Sequence, residues 1–478
     1  MKSHLKKIKR TFDYTDKSQY DYVLNQSERS ENFSSILFEL FKKDLKQEDF
    51  AYYPNTKKFK EKICKFYNVE TENLFLSDGS DVGIKSIFET FTTCGKVITS
   101  EPSFPMYKVY SELYQCQYNG VHYDVDLLEL SVDSILKFVD DNTDLIILAN
   151  PNSPIGDSKT SKEIKLLLDT GKMVLIDEAY IEFSDSESMI EYINDYPNLL
   201  VTRTFSKGVG AAGCRVGMTF GHKDTIELLS KFRQMYEISG VSMRYCELYR
   251  CQYNGVHYEK DYTLPMDKLL KFSNKETDLF ILANPNSPIG DSKTFEEIKP
   301  LLDTGKMVLI DEAYIEFSNT ESMIKYVNDY PNLLVTRTFS KGFGAAGCRV
   351  GMTFGHKDTI ELLSKFRQMY EITGVSLKYC EFLLDNYNLV EPYIEKVKKE
   401  KKKVLTLMKN FSILDSEANW IHFNTHDNNS KTQQIFDKHK VLVKYCSLPH
   451  DTRSSWCRMT IQPDMTSRPF FRELVNEQ

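Results

Sequence analysis

The sequence predicts an α/β protein, in which a large domain built on a mainly parallel, doubly covered sheet is followed by a small α+β domain. Short and almost wholly apolar runs, typical of strands buried on both faces, alternate with segments of helical periodicity. A long part of this alternation occurs twice, at a constant offset of 134 residues (341 − 207 = 134 and 311 − 177 = 134). The chain of 478 residues therefore contains one duplicated, partial large-domain segment.

The individual elements are predicted from these patterns. Apolar runs predict buried strands at residues 145–149, 173–176, 199–202 and 215–220, with helices at 161–168 and 187–194 between them. Two further strands, at residues 73–77 and 96–100, occur only once. The C-terminal part suits a small α+β domain, with a charged helix at 392–409 and strands at 420–423, 441–445 and 456–461.

The duplication divides the chain into four segments. We predict an N-terminal arm at 1–50, a large domain with copy one at 51–245, copy two at 246–380 and a small domain at 381–478. Between residues 150 and 245 only eleven positions differ from the second copy. The two single-copy strands can complete only one sheet, so we expect the other copy to be an incomplete satellite with exposed strand edges.

Composition and charge restrict the function. A net charge of −7 argues against a general nucleic-acid-binding protein, which needs an excess of positive charge. No apolar stretch reaches the roughly 18 residues that a membrane helix needs, and no apolar run follows the basic start of the chain. Six of the ten cysteines are repeat partners and no CxxC pair occurs, which favours a reducing compartment. We therefore expect a cytoplasmic protein with no membrane partner.

Each copy carries the same set of polar residues at the ends of predicted strands. This set consists of Asp177 and Asp311, Tyr180 and Tyr314, Ser206 and Ser340, Lys207 and Lys341, and Arg215 and Arg349. A lysine, an acid, a tyrosine and an arginine are the side chains needed to hold pyridoxal 5'-phosphate, a phosphorylated pyridine aldehyde. The lysine amine bonds the aldehyde, and the acid keeps the pyridine nitrogen protonated.

The positions of these residues in copy one fit that chemistry. Lys207 follows a predicted strand and precedes a glycine-rich loop, while Asp177 ends the strand at 173–176. Tyr180, three residues further on, is placed to hydrogen-bond the phenolic oxygen of the ring. The phosphate needs backbone N–H groups at a helix start, which Gly79, Ser80 and Asp81 offer, with Ser206 and Arg215 completing the cradle.

Together these motifs resemble the fold-type I pyridoxal phosphate enzymes of the class I/II aminotransferases, closest to the histidinol-phosphate aminotransferase group. The resemblance includes Leu24-Asn25, Tyr53-Pro54, Gly79-Ser80-Asp81, Pro102-Ser103-Phe104, the Asn-Pro-Asn blocks with Asn152 and Asn286, Asp-Glu-Ala-Tyr, Ser-Lys with its arginine, and Cys457-Arg458. It implies that Phe104 stacks on the ring and that Tyr53 reaches the phosphate of a partner subunit in a homodimer. It also implies that Arg458 grips the substrate α-carboxylate and that Asn25 lies at the substrate site.

Three positions depart from the family pattern. Ser153 stands where the family has an asparagine before the Pro-Thr-Gly turn, with Asn152 one residue earlier. Phe104 replaces a more usual tyrosine, so that stacking is kept and one hydroxyl is lost. The loop after Lys207 carries Val209, whereas Phe343 in copy two is the family-like residue.

The resemblance implies an aminotransferase that takes its amino group from glutamate and passes it to a small keto or aldehyde acceptor, with or without a phosphate group. Two alternatives stay open: a decarboxylase of a phosphorylated amino acid, and a non-catalytic relic disabled by the duplication. We predict that Lys207 is the cofactor lysine, because copy one continues directly from the single-copy strands and copy two carries Pro300 within a predicted helix. Against this, copy two runs straight into the domain that holds Arg458.

Overall fold

The computed structural model describes residues 35–124, 129–231, 256, 258–366, 372–425, 429–448 and 451–476. The predicted substrate residue Asn25 lies outside these ranges. The chain forms two compact units, which we describe separately. The first unit draws on residues 1–46, 54–234 and 362–377, and the second on residues 47–53, 235–361 and 378–478.

The helices and strands of the described residues follow in chain order. The helices are α1 Ser35–Asp44, α2 Gln47–Ala51, α3 Lys57–Tyr67, α4 Ser80–Phe91, α5 Met106–Leu113, α6 Val132–Leu136, α7 Ser161–Leu168, α8 Lys223–Ser230, α9 Met266–Lys271, α10 Phe295–Leu302, α11 Lys357–Ser364, α12 Gly374–Asp385, α13 Tyr387–Leu407, α14 Asn429–Lys438 and α15 Pro469–Asn476. The strands are β1 Leu74–Asp78, β2 Lys96–Glu101, β3 Gln117–His122, β4 Thr143–Ala149, β5 Met173–Asp177, β6 Leu199–Thr204, β7 Val216–Gly221, β8 Leu279–Ala283, β9 Met307–Asp311, β10 Leu333–Thr338, β11 Gly351–Gly355, β12 Ile413–Leu414, β13 Trp420–Asn424, β14 Lys444–Leu448 and β15 Asp451–Thr460.

A seven-stranded sheet in the order β1-β7-β6-β5-β4-β2-β3 forms the centre of the first unit. Its strands run parallel except at β7, which is antiparallel to both of its neighbours. The single-copy strands β1 and β2 join this sheet together with the strands of copy one. The predicted α/β fold, with a mainly parallel sheet, is confirmed.

Both faces of this sheet are buried. Along β4, Leu145 and Ile147 point into one core and Ile146 and Leu148 into the other, and each is at most 2% exposed. Alternate side chains of a strand face opposite sides, so a strand with helices on both sides must be apolar throughout. One core includes side chains of α3, α6 and α7, and the other includes side chains of α4, α5 and α8.

Two sequence expectations about helices need correction. Residues 187–194 were expected to be helical, but only the short 3-10 helix Met189–Tyr192 forms. There the amide of Met189 donates to the buried Glu178 carboxylate at 2.7 Å. Pro300 was expected to disturb copy two, yet α10 keeps the eight positions of its counterpart α7. The Pro300 side chain is exposed, and both helices begin with the same threonine–glutamate capping box.

Copy two forms a smaller sheet in the second unit. Its four strands follow the order β11-β10-β9-β8, and one face is buried against α9 and α10. On the other face Leu279 is 43% exposed and Ile281 is 39% exposed, although their counterparts Leu145 and Ile147 are fully buried. Of the three helices that cover this face in the first unit, α4 lies before the duplicated segment and α5 begins before it, so copy two has a full counterpart of α8 only. Copy two is therefore incomplete, as the sequence predicted.

The C-terminal part of the second unit is the predicted small α+β region. Its antiparallel sheet has the order β12-β13-β15-β14 and follows the long helix α13. The helix begins at residue 387, five residues before the predicted start, and includes Pro392. Among the described helices none combines the length and the apolar character needed to cross a membrane.

Candidate active site

A buried acid lies at the carboxyl end of β5 in the first unit. Asp177 accepts hydrogen bonds from the Thr202 hydroxyl at 2.9 Å and from the Tyr107 hydroxyl at 2.7 Å. Burial raises the pKa of Asp177, and these two hydrogen bonds oppose the rise. A buried carboxylate is stabilised by a cation beside it, and a protonated ring nitrogen would be such a cation. The acid therefore fits the role predicted for it.

Tyr107 is a site residue that the sequence reasoning missed. It is fully buried, and contact with Asp177 together with burial raises its pKa well above the usual value. Its ring meets that of Phe104 edge-on, with the centroids 5.5 Å apart. The sequence feature that could have indicated Tyr107 is its position three residues after Phe104, which is close enough for both side chains to reach the same site.

We expect Tyr107→Phe to destabilise the cofactor-free protein by about 1.5–3 kcal/mol at pH 8, because a hydrogen bond to a charged group is lost. The bond favours the ionised form of Asp177, so its contribution is present above the pKa of this acid and is lost as the pH falls through it. Denaturant unfolding at pH 8 and pH 4 measures the difference. Tyr110→Phe is the control, since that hydroxyl lies 3.4 Å from the carbonyl oxygen of Asp81. An equal loss at both pH values for Tyr107→Phe would contradict its coupling to Asp177.

Lys207 lies in the loop after β6. Its Nζ atom is 5.3 Å from the centroid of the Tyr180 ring, so the predicted lysine and tyrosine are neighbours. The next residue, Gly208, packs closely against Glu182, and an added Cβ atom would lie 2.7 Å from the Cβ atom of Glu182. The loop therefore needs a residue without a side chain directly after the lysine.

Residues predicted to hold the phosphate lie around the start of α4. Gly79 precedes the helix with a φ of 90°, and α4 begins without a capping side chain. A Cβ atom on Gly79 would lie 2.3 Å from Nη2 of Arg215, so only glycine leaves this space open. A helix start beside an arginine is a suitable anion site. Ser80 is the first residue of this helix.

Asp81 forms an ion pair with Arg215. Its Oδ1 atom pairs with Arg215 at 2.7 Å, and the same guanidinium nitrogen donates to the carbonyl of Asp78 at 3.2 Å. Within the described ranges the Oδ2 atom of Asp81 is buried without a hydrogen-bond partner. Burial raises the pKa of Asp81 in spite of the arginine. A carboxylate repels a phosphate, so the geometry makes Asp81 the residue that holds Arg215 in place.

Asn152 and Ser206 form hydrogen bonds with residues near them in the first unit. The Asn152 amide donates to the Pro102 carbonyl at 2.9 Å and accepts from the Ser103 hydroxyl at 2.7 Å. These bonds fix the turn that leads into Phe104, whose side chain packs against the core. Ser206 is buried, and its hydroxyl accepts from Thr204 at 3.0 Å.

The second unit contains the corresponding lysine in different surroundings. The Nζ atom of Lys341 is 4.9 Å from the ring centroid of Tyr314 and 5.6 Å from that of Tyr53. The Arg349 guanidinium lies 4.9 Å from the same Tyr53 ring. Burial lowers the pKa of Lys341, but Tyr314 and Tyr53 outweigh it, and the net pKa is raised. Tyr53, expected at a phosphate, thus lies beside the lysine and arginine of copy two.

Asp311, the counterpart of Asp177 in copy two, has one of the two side-chain hydrogen-bond donors that Asp177 has. Asp311 accepts from the Thr336 hydroxyl at 3.0 Å, and burial raises its pKa to about 6. Tyr107 precedes the duplicated segment, so copy two has no counterpart of it. Asn286 accepts from the amide of Ile289 at 3.3 Å, and the amide of Ser340 donates to the Thr338 hydroxyl at 3.1 Å.

Arg458 lies on β15 of the second unit. Its guanidinium is 5.3 Å from the Trp420 ring centroid, and Trp420 meets Tyr314 edge-on at 4.5 Å. His422 and Lys444 pair with Arg458 across the neighbouring strands. Burial, with a smaller effect from Arg458, lowers the pKa of His422 to about 4, so this imidazole is neutral at pH 7.

The predicted residues thus divide into two groups. The first unit holds one lysine with the phosphate cradle, and the second unit holds the other lysine with Tyr53 and Arg458. This combination of fold and residues defines the aminotransferase class. The family model for aminotransferase class I and II matches residues 37–245 and again residues 240–469. The chain belongs to the class I/II aminotransferase family, and the two matches follow the duplication.

Several proteins of similar sequence are histidinol-phosphate aminotransferases. The chain is 37% identical over 194 residues to a histidinol-phosphate aminotransferase of Christiangramia forsetii, covering 40% of this chain and 55% of that protein. It is 30% identical over 278 residues to the Clostridium beijerinckii histidinol-phosphate aminotransferase, covering 57% and 66%. The chain spans about half the length of the curated relatives it matches. A crystal structure of the Sinorhizobium meliloti histidinol-phosphate aminotransferase in complex with pyridoxal-5'-phosphate aligns over 100% of this chain and 98% of that one, with 14% identity and a TM-score of 0.44.

Proposed function

We propose that this protein is a pyridoxal phosphate-dependent aminotransferase whose cofactor binds in the first unit at Lys207. The carrying observation is that a lysine, a buried ring acid with two donors and a phosphate cradle occur there together. Copy two has the lysine and the acid but no counterpart of Gly79–Asp81. Enzymes of this family use pyridoxal phosphate, which when bound draws electrons away from the carbon that bears the amino group.

The residues of the chain supply binding and proton transfer. With the cofactor bound, Lys207 would be the residue that holds its aldehyde carbon and that takes a proton from the substrate and returns it. Asp177 would hold the pyridine ring by its nitrogen, and Tyr180 would donate to the ring hydroxyl. Gly79, Ser80 and Arg215 would hold the phosphate, with Asp81 orienting Arg215. Arg458 binds the substrate α-carboxylate through its planar pair of donors.

The substrates and the setting are proposed from the family likeness. Glutamate as the amino donor and a small, phosphorylated acceptor follow from the likeness to histidinol-phosphate aminotransferases. A homodimer and a cytoplasmic location are in keeping with this family and with the lack of a CxxC pair. Release of carbon dioxide without a keto acid would instead indicate a decarboxylase.

Purified protein reconstituted with pyridoxal phosphate is expected to show an absorption band in the visible range. The band should disappear on borohydride reduction, because the bond between lysine and cofactor is then saturated. Glutamate should shift the band to shorter wavelength as the amine form accumulates, and a keto acid should restore it. A protein that stays colourless with excess cofactor would exclude the enzyme and favour the non-catalytic relic.

A further inference from the structure

Two nearly identical surfaces of this chain differ in what covers them. We call them the phenylalanine faces: residues 151–156 with 183–186 in the first unit, and residues 285–290 with 317–320 in the second. Ten positions make up each face, and only Asp185/Asn319 and Ser186/Thr320 differ. Phe183 is 71% exposed, whereas its counterpart Phe317 is 6% exposed. Sequence therefore does not account for the difference in burial.

In the second unit, single-copy residues of the C-terminal region cover the phenylalanine face. The indole of Trp420 donates to the Pro288 carbonyl at 3.1 Å, and the amide of Glu417 donates to the Gly290 carbonyl at 2.8 Å. The Glu417 carboxylate accepts from the Ser318 hydroxyl at 3.2 Å and from the backbone N–H of Asn319 at 3.1 Å. Four directed hydrogen bonds and a closely packed glycine make this a specific docking contact.

The first unit presents the same groups around an open groove. The groove measures about 780 Å³ and is lined by residues that include Pro154, Gly156, Tyr180 and Phe183. Gly156 is exposed, whereas its counterpart Gly290 packs so closely that an added Cβ atom would lie 2.0 Å from Cβ of Ser416. A large exposed phenylalanine beside backbone carbonyls that bind a partner elsewhere in the same chain indicates a vacant docking surface.

We propose that the phenylalanine face of the first unit binds the 416–420 segment of a second copy of this chain. The C-terminal region occurs once per chain, and within the second unit it covers the face of copy two. Another chain is therefore the source of a further 416–420 segment. An exchange between chains replaces one set of contacts with nearly the same set, because eight of the ten face positions are identical (10 − 2 = 8).

This docking would complete the proposed site. Trp420 contacts Tyr314 in the second unit, and the counterpart of Tyr314 in the first unit is Tyr180, the neighbour of Lys207. The docked segment would therefore place Trp420 next to Lys207. Arg458, whose guanidinium lies against the Trp420 ring, would be brought to the same site. The site would be built from two chains.

The Asp185/Asn319 difference between the two faces is expected to affect how strongly the 416–420 segment binds. Glu417 accepts from the backbone N–H of Asn319 in the second unit; in the first unit that N–H belongs to Asp185, whose carboxylate would add a second negative charge near Glu417. Like charges at an exposed contact weaken it, and salt reduces the effect. Asp185→Asn is therefore expected to raise the yield of docked dimer several-fold at low ionic strength and less at high ionic strength.

Photocrosslinking of the full-length chain tests the proposal without relying on the cofactor. The photoreactive residue p-benzoylphenylalanine replaces Phe183, and the control carries it at Phe66, which is 81% exposed. Equal amounts of isotopically light and heavy chains are mixed before irradiation, and the adducts are mapped by mass spectrometry. We expect light–heavy adducts that join position 183 to residues 412–424, with a higher yield in the Asp185→Asn background.

Other outcomes overturn the docking and leave the aminotransferase assignment untouched. Adducts confined to one chain would show that the occupant is not a second copy. Equal yields at positions 183 and 66 would show random collision, and the lack of an adduct to residues 412–424 would show that this segment does not bind the face. A colourless protein that still forms the light–heavy adduct would separate failure of the enzyme assignment from failure of the docking.

Discussion

Lys207→Ala is expected to lower turnover by about 10³-fold or more, since the residue that bonds the cofactor and transfers the proton is lost. Lys341→Ala, the matched change in copy two, is expected to leave turnover within a few-fold of the unchanged protein. The two lysines lie in loops of nearly identical sequence, so each variant controls for the other. Both are measured with glutamate and a keto acceptor under saturating cofactor.

The reverse pattern would move the site to copy two. If only the Lys341 change abolished turnover, Tyr53, Arg349 and Lys341 would have to bind the phosphate without the cradle at Gly79. The chemistry proposed for the family would stand, and the choice of copy would be wrong. Loss of turnover in both variants would mean that the two lysines act in one mechanism.

Arg458→Ala is expected to reduce kcat/KM for the amino donor and the keto acceptor alike, by about 2–4 kcal/mol of transition-state binding. Glutamate and a keto-acid acceptor both carry an α-carboxylate, so the loss should be shared when the acceptor is a keto acid. The absorption band of the bound cofactor should persist, because Arg458 lies outside the set of residues that hold it. An unchanged KM for both substrates would contradict the assignment of Arg458.

Mixing two inactive chains shows whether Arg458 acts across chains. Lys207→Ala and Arg458→Ala chains, unfolded and refolded together, should regain about one quarter of normal turnover. Half of randomly paired dimers are mixed, and each mixed dimer has one site with both residues intact. The same chains refolded separately are the control. No recovery on mixing would mean that Arg458 serves a site in its own chain.

The sheet of the first unit was predictable because its strands are buried on both faces. Runs such as Leu145–Ala149 have to be apolar at every position, and this leaves a plain signal in the sequence. The predicted helix at 161–168 has the same bounds in the structure. Thr160 and Glu163 form a capping box at its start. Local chemistry specifies these elements.

Contacts between distant segments were not predictable in the same way. The partnership of Tyr107 with Asp177 joins residues 70 positions apart, and its only local trace is a tyrosine near Phe104. The ion pair between Asp81 and Arg215 likewise joins distant segments, and the sequence did not indicate that Asp81 holds this arginine. Phe183 and Phe317 occupy the same local sequence but differ in exposure from 71% to 6%, because tertiary contacts decide burial.

The most direct test of the central claim is to identify the lysine that bonds the cofactor. The protein is saturated with pyridoxal phosphate, reduced with borohydride, digested and analysed by mass spectrometry. Attachment at Lys207, at about one cofactor per chain, is the predicted result, because the first unit, which holds that lysine, also holds Asp177 with its two donors and the residues proposed to bind the phosphate. Attachment at Lys341 with Lys207 unmodified would contradict the account.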